Sequence, residues 1–226
     1  MLKAVLYGYG LSASVGVPDL SHTNLHPHKP SSGLRPTTTV CKVVQLFKYI
    51  YVMNPVFTIH ATQYFTSTIH EWQPILADNS HKDIIIDSLQ YLVNDERIEL
   101  NAFVIMSNHI HLIWQALTGF TPSAVQASFM KYTAQQLKRS LTKKEPGILN
   151  TLKVNKYDRE YQLWKREPLS IELLNETMFK QKLEYIHYNP VRAGLCSLPE
   201  EYHYSSAKFY NEGTNSFGML RHYSGN

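Results

Sequence analysis

The sequence predicts an α+β domain in which an antiparallel sheet carries helices on one face. Three observations lead there. Stretches 56–69 and 102–115 are rich in β-branched and aromatic residues, and a stretch with apolar residues at helical spacing separates them. A second helical stretch follows the paired strands, giving the order strand, helix, strand, strand, helix of a split βαβ unit. At 226 residues and 43% hydrophobic content, the chain is long and apolar enough for one globular domain with an appendage.

Residues 1–52 differ in composition from the rest of the chain. Gly, Ser, Pro and Thr cluster between Gly8 and Thr39 without an apolar period, and Pro27, Pro30 and Pro36 punctuate them. This stretch is expected to be disordered or appended. His22, His26 and His28 lie in it without acidic or cysteine partners, which argues against a metal tract, and the apolar patch Val40–Val52 fits a short helix or a strand equally. Met53-Asn54-Pro55 reads as the start of the domain, which is expected to span 53–212 and leave 213–226 as a tail.

Within the domain, Phe57, Ile59, Tyr64, Phe65 and Ile69 mark a first strand that ends before Trp72 and Pro74. Ser80 is an N-cap candidate for a helix carrying Ile84, Leu89, Leu92 and Val93 through Ile98. Ser107-Asn108 supplies a turn between two strands. Pro122 opens a second helix with Val125, Phe129, Tyr132 and Leu137 running toward Leu141. Glu145–Trp164 reads as a basic loop. A last helix is expected from about Ser170, with Glu172 in its first turn, through Phe179, Leu183 and Ile186, ending near Asn189 because Pro190 disfavours helical geometry before it. This pattern leaves the second face of the sheet open.

Two constellations carry chemistry. His109 and His111 open the second strand of the pair, and residues two apart on a strand share a face, so both imidazoles point one way while Ile110, Leu112 and Trp114 enter a core. Two imidazoles on one face suit a divalent metal. On the last helix, Tyr185 and Asn189 stand four apart and share a face opposite Leu183 and Ile186, so a phenol and an amide oxygen reach one place. Taken singly, each signal is weak. Two strand-end histidines more often satisfy ordinary hydrogen bonds, and a helix-surface tyrosine more often covers apolar surface.

The net charge of +4 is modest, but ten Lys and Arg lie between Lys131 and Arg166 against Glu145, Asp158 and Glu160. With Tyr132, Tyr157, Tyr161 and Trp164 interleaved, that block suits either a solvated face or a nucleic-acid backbone. Cys41 and Cys196 alone supply neither a disulfide framework nor a Cys-x-x-Cys zinc site. No apolar run is fit to span a bilayer and no secretory signal is evident, so a cytoplasmic location is expected without membrane partners.

Three blocks occur in order: Ser107-Asn-His-Ile-His-Leu112, Tyr185-Ile-His-Tyr-Asn-Pro-Val-Arg-Ala-Gly-Leu195, and Pro199-Glu-Glu-Tyr-His-Tyr-Ser-Ser-Ala207. Together they resemble the single-tyrosine transposases of the HUH nuclease superfamily, and above all the REP-associated tyrosine transposases, over about Met53–Tyr210. The resemblance implies a ferredoxin-like fold with a C-terminal helix bearing the nucleophile. It implies metal-dependent cleavage and joining of single-stranded DNA at hairpin-forming repeats. Tyr185 would be the nucleophile, forming a 5′-phosphotyrosine, and His109, His111 and Asn189 would hold Mg²⁺ or Mn²⁺. Lys131 resembles a basic residue that the family's second helix carries, and Lys138, Arg139, Lys165, Arg166 and Arg192 are the further candidate DNA contacts. Ser107 replaces the usual proline, Lys165 follows Trp164 where glutamine is common, and the basic segment is longer than in relatives. The rival readings are a catalytically inactive relic that holds structured single strands and an RNA-binding module. Monomer and homodimer are both open.

Overall fold

Alternating apolar residues build the sheet that positions the site. A computed structural model describes residues 60–225, which fall in the second of two units, Met1–Asn54 and Pro55–Asn226. The expectations for the N-terminal stretch, its histidines, the Val40–Val52 patch and the start of the first strand lie outside the described residues.

In chain order the elements are β1 (Gln63–Thr68), α1 (Asn79–Asn94), β2 (Ile98–Ile105), β3 (His109–Ala116), α2 (Pro122–Lys144), α3 (Pro146–Thr151), β4 (Lys153–Lys156), β5 (Arg159–Tyr161), β6 (Leu169–Glu172), α4 (Glu176–His187), the single turn α5 (Asn189–Arg192) and α6 (Ala207–Glu212). The main sheet has the order β2-β3-β1-β6, every neighbouring pair antiparallel. This is the ferredoxin-like α+β arrangement that the sequence predicts. No helix among the described residues is long and apolar enough to cross a membrane.

One face of the sheet presents Phe65, Phe103, Ile110, Leu112 and Trp114 to Ile85 and Leu89 of α1 and Val125, Phe129 and Leu137 of α2. The other presents Tyr64, Ala102, Val104 and Ile113 to Leu173 and to Phe179 and Ile186 of α4. The second face is therefore partly covered by α4 instead of open. A bulge between Leu100 and Ala102 resets the alternation of β2, so Leu100 and Phe103 share the first face three residues apart.

Four boundaries differ from expectation. Asp78, not Ser80, caps α1: its Oδ1 accepts from Ser80 N at 2.8 Å, and the helix stops at Asn94, leaving Ile98 to open β2. Ser170 does not cap a helix but lies in β6, where Leu169–Glu172 pairs with Thr66–Gln63 of β1. Pairing with that edge satisfies backbone groups over a long sequence separation, a gain invisible to local propensity. The helix begins instead after Asn175, whose Oδ1 accepts from Met178 N at 2.9 Å. Glu145–Trp164, expected as loop, holds α3 and the β4–β5 hairpin.

The segment after α5 straps the outer edge of β2. Ile105 N donates to Tyr204 O and Ser206 N to Phe103 O, both at 2.9 Å, and the hydroxyls of Tyr202 and Tyr210 donate to the carbonyls of Ile105 and Asn101. Further on, Leu220 bridges to Leu100 and Tyr223 stacks on Phe179. An edge so paired is not free to template association.

Candidate metal and nucleophile site

His109 and His111 stand on β3 opposite Thr68 and Thr66 of β1, on the face that α4 covers, with ring centroids 4.9 Å apart. Each ring is held by one nitrogen. His109 Nδ1 donates to Asn108 Oδ1 at 2.7 Å; an amide oxygen only accepts, so the proton sits on Nδ1 and Nε2 keeps its lone pair. His111 Nδ1 meets the hydroxyls of Thr66 and, at 2.9 Å, Tyr64, while Asn189 Nδ2 donates to His111 Nε2 at 3.2 Å. The Asn189 side chain also interacts with His109 in the sense that favours the protonated ring.

Burial lowers the pKa of both rings. His111 falls to about 3, with the charges of His109, Arg192 and Lys182 adding to the effect, and in His109 the Asn189 bond opposes the shift. Both imidazoles are thus neutral at ordinary pH, the ligating form, and each is oriented through the nitrogen that ligation would not use. The donor set fits a divalent cation: two neutral nitrogens and an amide that already bridges them.

The sequence puts Tyr185 and Asn189 on one helix, but α4 ends at His187. Tyr188 N donates to Glu184 O at 3.0 Å and Arg192 N to Tyr188 O at 2.9 Å, so the helical path continues through the cap and the two side chains still face one place. The Tyr185 ring lies edge-on to His111, centroids 5.3 Å apart, and the residue is 43% exposed. Among the described residues, the tyrosine rings that meet His111 are Tyr64 and Tyr185, and Tyr64 is buried. Tyr188 instead lines a groove with Lys180, Glu184 and Leu198, and Tyr132 lines one between α1 and α2. Arg192 Nη2 donates to Tyr185 O at 2.6 Å and its guanidinium sits 4.8 Å from the Tyr185 ring centroid; Lys182 Nζ lies 4.9 Å from that of Tyr64. One cation thus lies beside the Tyr185 ring and another beside the Tyr64 ring.

No protein-family model and no curated protein matches the sequence. Among solved structures, a REP-associated tyrosine transposase bound to a REP hairpin matches with a TM-score of 0.52 and 16% identity, over 76% of this chain and 94% of that one. The chain shares its fold with that transposase. A candidate transposase from Deinococcus radiodurans R1 also matches, with a TM-score of 0.42 and 16% identity over 59% of this chain and 93% of that one, too loosely to add to the assignment.

The structure does not gather all the predicted residues. Lys131, Lys138 and Arg139 lie on α2, on the far side of the sheet from the histidines. Lys131, Lys165 and Arg166 line a groove of about 500 Å³ with Arg159, Tyr161 and Trp164, and Lys138 sits 4.6 Å from the Tyr161 ring centroid. The groove and the histidines meet at one strand end, because Lys165 N donates to Thr68 O at 2.7 Å and Thr68 faces His109. Tyr64, Thr66 and Lys182 are absent from the sequence-derived set. Tyr64 and Thr66 share a strand face, but placing them against His111 requires the β1–β3 register, which no local pattern supplies.

A second cluster brings ligand atoms of Asp78, His81 and Glu145 within 4.8 Å of one another. Two of its three members already have partners. His81 Nδ1 bonds Ile75 O at 2.6 Å and Nε2 bonds Ser140 Oγ at 2.9 Å, while Asp78 caps α1 and faces Lys144 Nζ at 4.0 Å.

Proposed function

We propose that this chain is a metal-dependent single-stranded DNA endonuclease and strand transferase, a transposase that cleaves at hairpin-forming repeats through a 5′-phosphotyrosine intermediate. The observation that carries the reading is the convergence of Tyr185 and Asn189 on the His109–His111 pair. The hairpin held by the structural neighbour supports a partner of the same kind here. Such an activity puts the protein with chromosomal DNA in the cytoplasm.

His109, His111 and Asn189 would hold Mg²⁺ or Mn²⁺. When bound, the cation would polarise a phosphate oxygen and favour in-line attack on phosphorus. The Tyr185 oxygen forms the new bond to phosphorus, the bond to the 3′ oxygen breaks, the phenol loses its proton and the departing oxygen gains one. A free 3′-hydroxyl results and can reverse the step. Arg192, beside the Tyr185 ring, stabilises the phenolate as it develops, and Arg192 and Lys182 together hold the phosphate near the site. Strand affinity comes from the basic groove along α2 and the 159–168 segment.

Incubating the protein with labelled DNA and RNA hairpins carrying single-stranded flanks, in Mn²⁺, and resolving the products on a denaturing gel tests the reading. A covalent adduct with DNA and none with RNA is expected. Hairpin binding without any adduct would favour the inactive relic instead.

A further inference from the structure

The three tryptophans differ sharply in exposure: Trp114 and Trp164 are 3% and 6% exposed, whereas Trp72 is 59% exposed. Trp72 closes the 3-10 turn His70–Trp72, and there both Glu71 (φ 52°) and Trp72 (φ 57°) occupy the left-handed region that side chains disfavour. Firm contacts hold the turn. His70 N donates to Leu163 O at 2.7 Å, and Asn108 Nδ2 donates to Trp72 O at 3.2 Å. Asn108 is also the residue whose Oδ1 orients His109, so one amide fixes both the histidine and the turn. The indole stands edge-on to His109, centroids 6.3 Å apart.

A large aromatic side chain is thus kept out of the core, on strained backbone, beside a proposed metal ligand. The turn also leans on the basic segment: Leu163 precedes Trp164 and Lys165 of the groove, and Lys165 N bonds Thr68 O. The turn is thus tied to the groove segment through Leu163 and to the histidine pair through His109.

We propose that Trp72 is a stacking platform for an unpaired base of the DNA strand beside the cleaved phosphate. An indole face accepts any base, but a base within duplex has both faces covered, so the platform selects single strand without reading sequence. The inference rests on the proposed nuclease reading, because that reading supplies the strand and its place.

Tryptophan fluorescence tests it, since the one exposed indole is the reporter. The full-length protein carrying Tyr185→Phe is titrated, in EDTA, with a blunt hairpin and with the same hairpin bearing a single-stranded flank. The flanked hairpin should quench emission and the blunt one should not. Trp72→Ala should lose that quenching and weaken flanked-hairpin binding about tenfold while leaving blunt-hairpin affinity within about twofold, and Trp72→Phe should restore the affinity. Moving an abasic residue along the flank should reproduce the loss at one position. Equal binding of the flanked hairpin by Trp72→Ala, or an equal loss for both hairpins, overturns the platform. These are binding measurements without chemistry, so an absence of adduct in the wild type would remove the nuclease reading and leave the Trp72 result legible on its own.

Discussion

His111 is the residue on which the site turns, because one of its nitrogens is fixed by Thr66 and Tyr64 while the other meets Asn189 beside the Tyr185 ring. His109→Ala and His111→Ala should each abolish metal-dependent cleavage while hairpin binding, which comes from the basic surface, largely persists. Asn189→Ala should be milder, since water can take one position around an oxygen-accepting cation. Cleavage equal to wild type in either histidine variant, under controlled metal, would sink the ligand assignment. Thr66→Val leaves the ligands in place but removes a partner that orients His111, and should weaken metal affinity about 10–100-fold, read by Mn²⁺ titration of cleavage. Because the donor set holds imidazoles and no carboxylate, Mn²⁺ should saturate cleavage at lower concentration than Mg²⁺.

The strap along β2 should reveal itself in alkali. Burial holds the Tyr202 and Tyr204 phenols up to about 12, with Asp83 adding to Tyr204, and burial lifts Tyr210 further, with the Glu99 charge contributing. A raised folded-state pKa means that the folded chain keeps the phenol proton more tightly, so this stability is fully present below the unfolded value of about 10 and is lost as pH rises through the folded values. Denaturant midpoints should therefore hold to about pH 10 and fall above it, and Tyr204→Phe should flatten that fall. A midpoint independent of pH across this window would contradict the strap. At the start of α4, Asn175→Ala should cost about 1 kcal/mol of stability through the lost cap, measurable by denaturant unfolding. Much at this scale is legible in sequence. The strands around His109, both helices of the first core and the shared face of His109 and His111 follow from periods of two and 3.6 residues. The rest depends on partners far along the chain. Ser170 is a sound cap by local rules, yet the edge of β1 takes Leu169–Glu172 as a strand, and Lys131 sits across the sheet from the histidines because Val125, Phe129 and Leu137 turn α2 to the other core.

At the scale of the whole molecule, the fold brings β3 and α4 together so that residues distant in sequence share one site. Residues 1 to about 39 carry no apolar period, so a chain beginning at Met53 should unfold cooperatively and cleave as the full chain does. Loss of a cooperative transition would refute that boundary. The central claim is that Tyr185, among fifteen tyrosines, attacks the DNA. The most direct measurement is mass spectrometry of the covalent protein–DNA adduct trapped in Mn²⁺, alongside Tyr185→Phe, Tyr132→Phe and Tyr188→Phe. The modified tyrosine is expected in the peptide Leu183–Arg192 at Tyr185, with an adduct formed by the Tyr132 and Tyr188 variants and none by Tyr185→Phe. A phosphotyrosine at any other position, or an adduct formed by Tyr185→Phe, would contradict it.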